Sequence, residues 1–310
     1  MPGGSVRTST EAIASLGTIV GAIAVVILVG VEVAIVYAIW RYRSSRVGGI
    51  PPQITGNTRL EVIWTVLPAI TLVVVFVLMI GTMNEIAAAP SSYQGAMPLV
   101  VRGHQWWWEL RYPQKDGTEV VAANEIHIPV STEIDVSLQS ADVIHSFWVP
   151  QLAGKMDLIP GRDNHLRLYA SRTGTYFGAC AEYCGIEHAW MRLRIVVEPA
   201  DRFQTWLRGQ AASRAAPSGL AQKGEQVFTT ALCASCHTVR GSSASGAAGP
   251  DLTHLASRTT IGAGVLPNND ASLHDWVADP QRFKPGSFMP LVPLAPDDLN
   301  AVIAYLRSLQ

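Results

Sequence analysis

Residues 180–191 read CAEYCGIEHAWM, and the middle of the chain is best understood outward from this stretch. It places Cys180, Cys184, His188 and Met191 close together, with His145 upstream in the run DVIHSFWVP. Two thiolates, two imidazoles and a thioether form a soft donor set that selects copper over magnesium, calcium or manganese. A single blue-copper ion needs one cysteine, two histidines and a weak methionine. The second cysteine then calls for another explanation, and two thiolates could bridge two copper ions. Zinc is the alternative for Cys and His, but the methionine and the distant histidine suit it poorly. Around these donors lie LVVRG, WWWELRY, EIHIPV, TEIDVSLQ, NHLRLYA, GTYFGA and MRLRIVVE. Each run has the length and the β-branched or aromatic content of a strand. Together they predict a Greek-key β-sandwich over residues 91–199, with the donors held at strand ends.

The span from about Leu60 to Pro199 resembles subunit II of cytochrome c oxidase, whose binuclear copper centre uses C-x-E-x-C-x-x-x-H-x-x-M plus an upstream histidine. Every element of that motif is present here. The resemblance implies a cupredoxin-like domain in which Cys180 and Cys184 bridge two copper ions and His145 and His188 are terminal ligands. It makes Met191 a weak ligand and Glu182 a ligand through its backbone carbonyl, with the Glu182 side chain reaching a magnesium ion at the border with subunit I. The run GHQWWWEL resembles the family's aromatic patch, which makes Trp106 the point where electrons enter and leaves Trp107 and Trp108 structural roles. A row of core and edge aromatics in a strand would look the same by alternation alone. The run LEVIWTVLP resembles the start of the family's second helix, so Glu61 matches a glutamate at the mouth of a proton pathway. Ala179 before the first ligand cysteine departs from the mitochondrial members, as does the cytochrome described below.

Two apolar runs precede the sandwich within an N-terminal segment of residues 1–90, from about 16 to 40 and from about 62 to 82. At about 1.5 Å per residue, about 20 residues cross the hydrocarbon core, so the two runs predict a transmembrane hairpin. Pro68 is tolerable near the start of the second helix. Between the runs sit Arg41, Arg43, Arg46 and Arg59, with the Pro51-Pro52 turn. The positive-inside rule places that loop in the cytoplasm and both termini on the other side. The first run is too long for a signal-peptide core and lacks a basic segment before it. Glu32, an ionisable group within the first helix, marks a functional position, with contact to a partner subunit favoured over proton transfer. Glu61 on its own reads as an acidic group favoured at a helix N-terminus.

After a flexible stretch containing Pro90, Ser91, Ser92 and Gly95 comes the sandwich, and after it residues 200–219 read as an alanine-rich, partly helical linker ending in Pro217-Ser218-Gly219. Residues 220–310 carry the run CASCH, in which Cys233 and Cys236 can bond haem vinyl groups and His237 can bind the iron. Met289 is the only methionine after this motif, and His254 and His274 are its rivals for the other axial position. GPDL after the motif, and a methionine-proline loop before a final helix over 297–306, resemble a small class I cytochrome c, an all-α domain that binds haem c covalently with Met289 opposite His237. Methionine ligation raises the haem potential. A redox dithiol is the competing reading of CASCH, but no thioredoxin-like βαβ pattern surrounds it. GSSASGAAG, residues 241–249, reads as a flexible surface loop.

The 310 residues carry four cysteines in two close pairs and a net charge of −1, which leaves no cysteine for a structural disulfide and no bulk field for nucleic acid. Neither apolar run contains a histidine, so oxygen chemistry at histidine-bound haem and copper belongs to another polypeptide. The resemblance therefore implies an electron-input subunit of a proton-pumping oxidase in a bacterial inner membrane, with copper and haem domains on the periplasmic side. Its implied partners are subunit I, subunit III, membrane lipid and a donor that is either cytochrome c or a neighbouring complex. A free-standing copper and haem carrier is the alternative, but it has no need of Glu61 or of a magnesium ligand at Glu182. A nitrous oxide reductase would need more histidines than the five that remain of eight once His145, His188 and His237 are set aside.

Overall fold

Alternation of apolar and polar residues, period two, dominates the chain from Met97 to Glu198, and the strands follow it. The computed structural model describes residues 8–43, 53, 56–86 and 95–310. Arg46, Pro51, Pro52, Pro90, Ser91 and Ser92 lie outside the described residues. One sheet orders β3 (Glu119–Ala123), β2 (Trp107–Pro113), β1 (Met97–His104), β5 (Ile134–Ser140) and β8 (Asn164–Leu168). The other orders β4 (Glu125–Pro129), β10 (Arg192–Glu198), β9 (Gly174–Cys180), β6 (His145–Trp148) and β7 (Met156–Leu158). Pairing is antiparallel except β1 with β5 and β4 with β10. Leu99 and Val101, Ile134, Val136 and Leu138, and Leu193, Ile195 and Val197 all turn inward and are buried. Seven strands coincide with the expected runs. β3, β6 and β7 do not, because each owes its state to pairing rather than to local pattern.

Residues 200–219 are partly helical as expected, but the helix packs on the sandwich instead of hanging free as a linker. Ala200–Ala211 form α3, whose Phe203 is buried in the sandwich core. Trp206 stacks on His127 with ring centroids 4.1 Å apart and meets Tyr112 edge-on at 5.3 Å. An alanine-rich run looks like a linker in composition, yet its aromatics at positions i and i+3 make one apolar face that a sheet can cover.

The C-terminal domain has its own core. α4 (Leu220–Thr230) crosses α7 (Pro296–Ser308) so closely at Gly224 that a Cβ there would lie 1.9 Å from the Ala301 carbonyl oxygen. Phe228 and Tyr305 meet edge-on beside that crossing, at 5.5 Å. α5 (Cys233–Cys236) and α6 (Asp270–Ala278) complete the helices, the latter capped by Asn269, whose side chain accepts from the Ser272 amide. A short two-stranded ribbon of β11 (Thr260–Ile261) and β12 (Leu266–Pro267) joins the helices of this otherwise helical domain. Residues 241–249 also differ from the flexible loop expected. Ala244 is buried, the Val239 amide donates to its carbonyl, and the Gly249 amide donates to the Cys236 carbonyl. Small residues let the loop fold flat against the domain.

The two helices near the N-terminus form a separate unit, residues 9–88. α1 (Ser9–Tyr42) and α2 (Thr58–Ile86) extend beyond the apolar runs at 16–40 and 62–82, because polar residues at each end continue the same hydrogen-bond ladder. Their large side chains are bare, Val26 72% and Leu72 69% exposed, which excludes a role as core helices of a soluble domain.

Glu125 joins the sandwich to the C-terminal domain. Its buried carboxylate accepts hydrogen bonds from the amides and hydroxyls of both Thr259 and Thr260, at 2.6 to 3.0 Å. Beside it the Arg192 amide donates to the Ala263 carbonyl. Replacing Glu125 by Ala strands the buried amide and hydroxyl of Thr260, removes the acceptor of the Thr259 donors, and should cost on the order of 3 kcal/mol. Chemical unfolding followed separately by haem absorbance and sandwich fluorescence should show the two transitions moving apart in Glu125→Ala.

Candidate metal and haem centres

Antiparallel pairing of β6 with β9 sets Phe147 opposite Cys180, which brings His145 at the start of one strand to Cys180 at the end of the other. The loop after β9 then folds back, with the His188 amide donating to the Gly185 carbonyl, and returns Met191 to the core. Sequence positions 145 to 191 thereby converge. Cys180 Sγ lies 3.8 Å from Cys184 Sγ, 3.9 Å from His145 Nδ1 and 3.2 Å from the Glu182 carbonyl oxygen. Cys184 Sγ lies 3.6 Å from His188 Nδ1 and 3.9 Å from Met191 Sδ. His145 stands at the Cys180 side and His188 at the Cys184 side, so the donor set has two ends with a thiol pair between them. All six expected donors are brought together.

Two buried thiols this close cannot both ionise without a cation between them. The S–H of Cys184 pulls the Cys180 thiol well below its ordinary value, helped by His145 and by backbone groups and opposed by burial. Cys184, facing that thiolate in the same apolar setting, is pushed far upward. A buried pair that shares one proton in this way is the state a metal relieves. His145 is fully buried; burial alone would lower its pKa, and the bonds to Asp142 and Cys180 outweigh that and raise it. Its Nε2 meets Asp142 Oδ1 at 2.7 Å, which leaves Nδ1 toward the sulfurs. Asp142 also accepts from the Gln105 amide at 2.7 Å.

The aromatic run separates into distinct roles. Trp108 is fully buried against Phe147, and Trp107 stacks on His104 at 4.3 Å. Trp106, only 6% exposed, donates from Nε1 to the Cys184 carbonyl at 3.0 Å, and Gln105 Nε2 donates to the same oxygen at 2.7 Å. Glu182 turns its carboxylate outward, 43% exposed, with Lys155 Nζ 3.7 Å away. Glu61 belongs to the helical unit, where its Oε1 accepts from the Asn57 amide at 3.1 Å while Asn57 Oδ1 accepts from the Arg59 and Leu60 amides. That reciprocal cap is the local reading of the residue.

A cavity in the C-terminal domain is lined by Cys233, Cys236, His237 and Met289, and by apolar residues including Phe228, Leu252 and Trp276. His237 Nδ1 donates to the Pro250 carbonyl at 2.8 Å, which leaves Nε2 free, and burial holds the ring neutral. Of the three axial candidates only Met289 lines the cavity. Both ring nitrogens of buried His254 meet backbone carbonyls, those of Gln310 and Ala212, and His274 is exposed beside Asp275. Gln105, Trp106, Trp107 and Asn124 of the sandwich close the cavity on its remaining side.

Sequence reasoning missed Asp142, Gln105, Glu125 and Lys284. Asp142 had a signal, an acid three residues before a ligand histidine, and Gln105 adjoined the aromatic run. Glu125 and Lys284 had none, since their partners lie 94 or more positions away.

A thiol-paired donor set at the end of a β-sandwich, closed against a C-x-x-C-H helical domain and preceded by two apolar helices, defines a membrane-anchored redox protein with two centres. Residues 5–80 match the model of the cytochrome c oxidase subunit II transmembrane domain, residues 97–199 that of its periplasmic domain, and residues 221–310 that of cytochrome c. The cytochrome c oxidase subunit 2 of Alkalihalophilus pseudofirmus is 40% identical, covering 93% of this chain and 85% of that protein. That of Bacillus subtilis is 33% identical, covering 88% and 82%. The crystal structure of the periplasmic domain of subunit II of Bradyrhizobium japonicum cytochrome oxidase aligns with a TM-score of 0.36 at 31% identity, over 41% of this chain and 96% of that one. The chain belongs to the cytochrome c oxidase subunit II family, and it carries a C-terminal cytochrome c domain.

Asp142 orients His145 from behind, and such partners are worth about 10 to 100-fold in metal affinity. Asp142→Ala should lose copper to a competing chelator about that much more readily, with the sandwich still folded by circular dichroism.

Proposed function

We propose that this chain is the electron-input arm of a proton-pumping haem-copper oxidase, passing electrons from haem c to a binuclear copper centre and on to the oxygen-reducing subunit I. The observation that carries it is that Trp106 reaches both donor sets, its indole N–H meeting the Cys184 carbonyl and its ring lining the cavity of Cys233, Cys236, His237 and Met289. The soft donors fit copper: Cys180 and Cys184 as bridging thiolates, His145 and His188 as terminal imidazoles, Met191 and the Glu182 carbonyl as weak ligands. A pair of coppers sharing one electron supplies electron transfer with little change in geometry, which a rigid sandwich favours. Cys233 and Cys236 fit as thioether anchors for haem c, with His237 and Met289 as its axial ligands.

Trp106 is the residue through which electrons reach the copper loop, since its indole N–H already contacts the backbone of Cys184. Glu182 serves a second role, its exposed carboxylate offering one ligand to a magnesium ion that another subunit completes, as an ion needing few carboxylates and several waters allows. Glu61 stands at the entrance of a proton pathway into subunit I, a role that its cap bond does not preclude. The helix hairpin holds the chain in the bacterial inner membrane with the arginine-bearing connection inside and the copper and haem domains in the periplasm. Subunits I and III and the surrounding lipid cover its bare apolar faces. The donor to haem c is a soluble cytochrome c or a neighbouring respiratory complex.

Purification in mild detergent should yield two coppers and one covalent haem per chain together with a histidine-rich membrane partner. One copper, zinc, or a lone chain would overturn the assignment. Cys184→Ser should abolish the binuclear absorption and electron paramagnetic signature while leaving haem c spectra unchanged. Glu61→Gln should slow oxygen-linked proton uptake in the assembled oxidase with both centres still reducible.

A further inference from the structure

The sandwich and the cytochrome domain meet along a segment that neither donor set explains, Lys284 to Phe288. Lys284 is 4% exposed, and its ammonium donates to the Trp106 carbonyl at 2.9 Å and to the Trp190 carbonyl at 3.3 Å. Burial pulls its pKa down to about 8, and the nearby carboxylate of buried Glu187 partly opposes that fall. Withdrawing an ammonium from water is costly, so two carbonyls and a counter-charge are needed to hold it there. Both carbonyls belong to the copper side, one in the aromatic run and one next to Met191.

Two residues further on, Gly286 has φ +88° and approaches the copper loop so closely that a Cβ would lie 2.1 Å from Ile186 Cδ1. Glycine takes that backbone without strain, and the exposed Ile186 side chain rests against it. Next, the Phe288 ring sits with its centroid 5.1 Å from that of Trp106. Phe288 also lines the cavity that holds Cys233, Cys236 and His237, and it directly precedes Met289. A continuous series of contacts therefore runs from Met289 through Phe288 to Trp106 and, by the indole hydrogen bond, to Cys184.

We infer that Phe288 is an aromatic relay between the haem side and Trp106, and that Lys284 is the positioning residue that holds it there. The inference rests on the electron-input reading above. Each event moves one electron, with ferrous haem oxidised to ferric and the copper centre reduced by one, and it requires no proton or bond change. Because Trp106 is buried under this segment, an external protein donor reduces the cytochrome domain rather than the copper loop.

The test uses the full chain with haem and copper in detergent. Haem c is reduced rapidly and the onward transfer to copper is timed, with the haem midpoint potential and hydrogen exchange at amides 104–108 and 186–192 measured alongside. Phe288→Leu should slow transfer several-fold, because the ring contact with Trp106 is lost, with potential and exchange unchanged. Phe288→Tyr should restore the parental rate. Lys284→Met should slow transfer and also raise exchange at both amide segments, while a small diffusible reductant still reduces the copper directly. Parental transfer in Phe288→Leu, or unchanged transfer and exchange in Lys284→Met, would overturn the inference. If Trp106→Phe slows transfer and Phe288→Leu does not, the relay fails and the electron-input reading stands. If parental haem c never reduces copper, that reading fails first.

Discussion

Two thiols 3.8 Å apart in an apolar setting are the constraint on which the rest of this molecule turns. Left to themselves they compete for one proton, and only a cation lets both become thiolates. The fold spends its topology on holding that pair. Antiparallel pairing of β6 and β9 delivers one histidine, the loop after Cys180 delivers the other, and Met191, just before β10, closes the floor. Cys184 is the hinge between metal and environment, because its sulfur faces the donors while its carbonyl receives Gln105 and Trp106.

The contacts between the two domains explain why the cytochrome domain is placed where it is. A donor domain tethered by a loose linker would sample many orientations, and only a few would bring its cofactor close. Here a carboxylate with four donors, a buried ammonium and a backbone hydrogen bond fix one orientation. Preorganisation of this kind removes the entropy of a search from each transfer.

Much of this was legible in the sequence for a definite reason. Donor spacing in CAEYCGIEHAWM and CASCH is local, so the chemistry of both centres could be read from a few adjacent letters. The two membrane helices were equally plain, since length and apolarity suffice. What was hidden depended on distance along the chain. Glu125 and Lys284 are ordinary charged residues until the domains meet, and α3 looked like a linker because alanine obscured the spacing of Phe203 and Trp206. The loop at 241–249 looked flexible because glycine and serine favour both looseness and close packing, and only the burial of Ala244 distinguishes them.

The packing of α3 has a consequence for how the modules can be separated. Sheet residues end at Glu198, yet the rings of Tyr112 and His127 are covered by Trp206, and the Gln210 and Ala211 carbonyls accept from Arg240 of the next domain. The copper module is therefore longer than its sheets. A fragment stopped at residue 199 would expose an aromatic face of its own core and tend to self-associate, whereas one stopped after α3 would keep that face dry. One helix thus covers the sandwich and also meets the cytochrome domain, and the swap point for exchanging donor domains lies beyond Ala212.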